Sequence, residues 1–104
     1  MNRDELTAEY FRLTRDVLPV RGRAEKWVVE NDHCFQRIVL DHVCGGAWRE
    51  TLTGRAPAYR QLTDTQLADA VEMARRIEAE GDLLLRGLNR QSLRWRGKVR
   101  EDGC

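Results

Sequence analysis

Downstream of Thr63, the residues Leu67, Ala70, Val71, Met73, Ala74 and Ile77 recur on the three-and-four spacing of one helix face. Thr63 and Gln66 form a capping box at the start of this segment, Leu62 can staple onto Leu67, and Asp64 suits the positive end of the helix dipole. Glu72 and Arg76 are expected to pair at i,i+4 on the outer face. Nowhere in the chain do apolar and polar residues alternate for more than about four positions, so strands are not expected. The architecture is therefore all-α. Several amphipathic segments joined by short connections predict a small bundle of about four helices in a single domain, with residues 100–104 as a disordered tail.

The first helix has two candidate starts, a capping box of Asn2 with Glu5 or a cap at Thr7. Leu6, Tyr10, Leu13 and Val17 share its inner face, and Pro19 is expected to end it near residue 18. Arg21-Gly22-Arg23 then reads as a connection, while Trp27-Val28-Val29 fits either helix or extended chain. Asn31 or Asp32 caps a helix through Val43 that Gly45-Gly46 terminates. Phe35, Ile38, Val39, His42 and Val43 form its apolar face, and His33, Arg37, Asp41 and Cys44 another. Ala47 to Leu52 adds a turn or two, and residues 53 to 60 form a loop. Gly81-Asp82 breaks the chain between the Thr63 helix and the last one.

That last helix is read from Asp82 to Val99 and places Arg86, Arg90, Arg94 and Lys98 at intervals of four, opposite Leu84, Leu85, Leu88, Trp95 and Val99. Successive cations are displaced by only about 40° around the axis, so they would form one stripe. The net charge is only +1; the imbalance is local. Residues 61–80 hold two bases and five acids, whereas 81–104 hold six bases and three acids. Such a stripe suits phosphates or an acidic protein surface, with Asn89 and Gln91 as potential base-edge contacts. It also fits internal pairing with the acids Asp69, Glu72, Glu78 and Glu80. Leu83 and Leu93 fall among the cations, which points to a second contact surface and a homodimer.

A second constellation is Arg37, Asp41 and His42, which would line an interhelical pocket if the protein were a small enzyme or a ligand-binding protein. An imidazole on an apolar face is more simply a core histidine bonded to a backbone carbonyl or to Tyr10 or Tyr59. No nucleophile is placed against it, and Ser92 reads as a packing residue or helix–helix hydrogen bonder. Cys34, Cys44 and Cys104 lack metal-ligand spacing and form no disulfide framework, so Cys34 and Cys44 are expected to be free buried thiols. Trp27, Trp48 and Trp95 could stack bases among the cations, but Trp95 falls on the Leu84, Leu88 and Val99 side of its helix and is expected in the core. No metal or cofactor motif is present. The absence of an apolar leader or membrane-length run points to the cytoplasm. The sequence thus suggests a non-enzymatic interaction domain whose cationic C-terminal helix contacts an acidic partner or nucleic acid.

Overall fold

In the computed structural model, which describes residues 1–98, the chain folds into helices with no strand among those residues. They are α1 (Arg3–Phe11), a π-helical segment (Arg12–Val17), α2 (Leu18–Glu25), α3 (Asp32–Cys44), the single turns α4 (Trp48–Thr51) and α5 (Ala58–Gln61), α6 (Asp64–Glu80) and α7 (Asp82–Trp95). The first three are continuous, so the bundle has four main rods: that bent helix, α3, α6 and α7. The 100–104 tail expected from the sequence lies outside the described residues, as does Val99. No helix among those described is long and apolar enough to cross a membrane.

Pro19 does not end the first helix. Its ring lacks an N–H and clashes with the carbonyl four residues back, but the turn before it widens into π geometry, with Leu18 N–H donating to the Leu13 carbonyl. The rod therefore bends and continues to Glu25. Of its two candidate starts, the Asn2–Glu5 capping box forms. Arg21-Gly22-Arg23 is consequently helical, and the connection begins at Lys26, whose left-handed φ of 57° stops the helix.

Gly22 permits the close approach that follows. A Cβ there would stand 2.8 Å from the Val29 carbonyl oxygen and 3.2 Å from Glu30 Cα. Both neighbours are backbone, so they yield only by moving the connection. Gly22→Ala is expected to lower stability by roughly 1–3 kcal/mol, measured by urea unfolding; an unchanged midpoint would show that the 26–31 segment shifts freely.

Helix α3 lies at the centre, against the bent rod, α6 and α7. Phe35, Ile38 and Val39 on α3 meet Leu13, Leu18, Leu67, Ala74, Ile77 and Leu85 in one fully buried cluster. Trp27 packs edge-on to Phe35 and is buried, while Trp48 and Trp95, the latter expected in the core, are half-buried. The Thr63–Gln66 box caps α6, and Gly81, at φ 76°, separates it from α7. Arg76 pairs with Glu80 at 3.2 Å rather than with Glu72.

Outside the core, Glu9 holds α1 to α6. It accepts from Arg12 on its own side and from Arg75 of α6 at 3.0 Å. The Arg12 and Arg75 guanidiniums hold its carboxyl at about 2. Because the folded pKa lies below the unfolded one, this contribution is complete above about pH 4.5 and is lost as pH falls toward 2. Glu9→Gln is expected to cost up to about 1 kcal/mol at pH 7 and nothing below pH 2. Parallel denaturation of both proteins across that range tests it, and a pH-independent difference would refute the ion-pair account.

Candidate functional site

The expected cationic helix is shorter than its sequence spacing suggested. Helix α7 ends at Trp95 because Gly97 takes a φ of 74°, with Gly97 N–H bonded to the Arg94 carbonyl and Lys98 N–H to the Leu93 carbonyl. These two bonds are a Schellman stop. Lys98 therefore leaves the stripe of Arg86, Arg90 and Arg94. Arg86 is paired with Asp82 of its own helix at 2.8 Å, not with α6. Asp82 also accepts from Val28 N–H at 2.9 Å, tying the connection before α3 to the start of α7. Leu93, placed among the cations by its spacing, is 3 % exposed, whereas Leu83 is 87 % exposed. Asn89 is buried as well, so it cannot read a base edge.

The inner face of α7 instead builds a polar network against α3. Arg37 and Asp41 stand one turn apart on α3, and Asn89 and Ser92 one turn apart on α7. Arg37 donates to Ser92 Oγ and to Asn89 Oδ1, each at 2.7 Å. Ser92 in turn donates to Asp41 Oδ2 at 2.6 Å. Arg96, just past the end of α7, grips the same carboxylate with Nε at 2.7 Å and Nη2 at 2.8 Å. Asp41 is wholly buried and takes a fourth bond at 2.9 Å from Trp48 N–H. The second, polar face of α3 is thus interior at Asp41, because its charge is matched by a fork of Arg donors. Asp41 raises the Arg96 pKa; burial, and then the charge of Arg96, lower that of Arg37.

Asp41, through Trp48, also sets the position of α4, and α4 forms one wall of a half-open cavity of about 700 Å³. Arg15, Arg37, Arg49, Arg96 and Lys98 line it together with His33, and no Asp or Glu does so among the described residues. Arg15 lies over the Phe11 ring, 3.8 Å from its centroid, and Arg49 over Trp48 at 5.2 Å. The π segment carries Arg15. Ring faces thus hold two of the cations, and carboxylate or hydroxyl partners hold two more. Neither Arg15, Arg49 nor Lys98 has a carboxylate within ion-pairing distance among the described residues.

Half-buried Phe11, Tyr59 and Trp48 give the cavity its aromatic surface. Phe11 and Tyr59 meet edge to face at 4.8 Å. Arg3 fixes α5 by donating to the carbonyls of Leu62 at 2.7 Å and Tyr59 at 2.9 Å. Gln61 bonds to Gly54 and Ala56, so the segment read as a 53–60 loop is folded back and carries the α5 turn.

Of the predicted pocket residues, Arg37 reaches the cavity, Asp41 supports it from beneath, and His42 does neither. His42 Nε2 lies 2.9 Å from the Leu88 carbonyl and the ring packs edge-on to Trp95 at 5.0 Å, a core histidine with a backbone partner. Cys44 is a half-buried free thiol whose pKa burial and Asp41 raise. Cys34 is buried but disulfide-bonded rather than free. Among the described residues no three His, Cys, Asp or Glu groups gather as a metal site would require. Sequence reasoning missed Arg15, Arg49 and Arg96; only the last left a signal, Gly97 one residue beyond it as a helix stop. No family model matches the chain, and neither a curated protein nor a solved structure does.

Proposed function

We propose that the protein is a non-enzymatic binding module for an anionic partner, and that the partner engages the cavity beneath α4 rather than the outer face of α7. One observation carries this reading: five cationic side chains and His33 line a single cavity whose described lining has no carboxylate. Asp41 already offsets Arg96, but Arg15, Arg49 and Lys98 have no carboxylate of their own within ion-pairing distance among the described residues. Gathering like charges costs free energy unless an anion offsets it, so their side of the lining favours negatively charged ligands. Several of the side chains are already oriented by ring faces or by the Asp41 network, which reduces the ordering cost of binding. Lys98, read from the sequence as part of the helical stripe, joins this group from the turn after α7. Arg86, engaged with Asp82, does not.

Calorimetric titration of the whole chain with inorganic tripolyphosphate at low salt tests the proposal. Arg49→Gln with Lys98→Gln is expected to weaken binding by about tenfold or more, and raised salt to weaken it further. Arg86→Gln with Arg94→Gln is expected to leave the affinity unchanged. The absence of binding, or equal losses from the two double variants, would overturn the assignment to the cavity.

A further inference from the structure

We propose, resting on the anion-binding reading above, that the chain regulates its own cavity through residues 99–104: a Cys34–Cys104 disulfide ties this segment to α3, and its Glu101 and Asp102 carboxylates compete with an external anion. The pairing follows from the sulfur inventory. The chain has three cysteines; Cys34 is disulfide-bonded and Cys44 is a free thiol, which leaves Cys104 as the partner. A disulfide holds its two Cβ atoms about 4 Å apart, so this bond brings residue 104 to the first turn of α3.

Both ends of the strap then flank the cavity. Lys98, from which it leaves, lines the cavity, and Cys34 stands beside His33 and one turn before Arg37, which line it too. Six residues span no more than about 22 Å when fully extended, which favours a path across the mouth over a detour around the molecule. Midway along Val99-Arg100-Glu101-Asp102-Gly103-Cys104 stand two adjacent carboxylates. Arg96 is already matched by Asp41, and Arg37 donates to Ser92 and Asn89, so neither is asked to hold the strap. The contest is for Arg15, Arg49 and Lys98, to which the described residues bring no carboxylate. A tethered carboxylate meets them at a high effective concentration.

Reduction removes the tether. One thiolate of a dithiol reductant displaces a cysteine sulfur, its second thiol displaces the other, and the products are two cysteine thiols and the reductant's own disulfide. The carboxylates then lose their effective concentration, and the cavity opens to an external anion.

Alkylation of the denatured whole chain, read by mass spectrometry, is expected to label Cys44 alone before dithiothreitol and all three cysteines after it, with a linked 34–104 peptide in the unreduced digest. Tripolyphosphate, titrated by calorimetry, should bind at least tenfold more tightly to the reduced chain than to the oxidised one. Cys104→Ser should reach the tighter affinity without reductant. Glu101→Gln with Asp102→Asn should bring the oxidised chain to the same affinity and change that of the reduced chain less than twofold, which separates competition from a general gain of positive charge. Absence of the linked peptide would overturn the strap. A linked peptide with equal affinities in the two redox states would also overturn the proposal and leave the anion-binding cavity standing. Binding in neither state would overturn the anion-binding reading and its regulation together.

Discussion

Replacing Asp41 with Ala is expected to remove about 3–5 kcal/mol of folding stability, read from the urea midpoint and slope. The carboxylate is completely buried and accepts four hydrogen bonds, two of them from the Arg96 fork. Deleting it leaves a partly buried guanidinium, the Ser92 hydroxyl and the Trp48 N–H without their acceptor. That loss is far larger than the net worth of the ion pair, because desolvation has already been incurred by every partner that remains. Removing both charges should therefore do less harm: Asp41→Leu with Arg96→Met is expected to recover at least half of the deficit. A loss below about 1 kcal/mol for Asp41→Ala would mean that water enters and replaces the carboxylate. Because Asp41 also anchors α4, the same variant should weaken anion binding through Arg49 even where it remains folded.

Phe35→Ala is expected to cost a comparable 3–5 kcal/mol by the same measurement, for a different reason. Phe35 is 0 % exposed on the central helix, meets Trp27 edge-on at 6.3 Å, and its ring tip lies against the space that Gly22 leaves open. Truncation loses the transfer free energy of the ring and opens a cavity that three rigid elements surround. Phe35→Leu, which keeps much of the volume, should cost less than half as much. Equal penalties for both substitutions would show that the aromatic contact rather than packed volume matters here. Unlike Asp41→Ala, Phe35→Leu is expected to leave anion affinity unaltered, so the two positions separate the core from the site.

Local chemistry determined a large part of this molecule. The Thr63–Gln66 box, the glycine stops at Gly45 and Gly81 and the apolar face of α3 each act within a few residues, and each appears in the fold where the sequence places it. His42 bonded to a carbonyl and Ser92 bridging helices follow from the same rule, that buried polar groups must be satisfied. Expectations failed where a second local feature outweighed the first. Pro19 predicts a stop, but a π turn absorbs its clash; Arg86 to Lys98 predicts a stripe, but Gly97 turns the chain after Trp95.

The site itself was decided almost entirely by tertiary structure. Arg15, Arg37, Arg49 and the Arg96–Lys98 pair lie in four separate segments and share no periodicity, so no spacing rule could collect them. Packing brings them together: α3 and α7 bury Asp41 between them, Asp41 draws in Arg96 and fixes Trp48, and Trp48 carries Arg49 to the cavity wall. A chain's own residues set where its helices start and stop, because those free energies are local. Which charges face one another is set by how the helices cross, and that depends on the whole core at once.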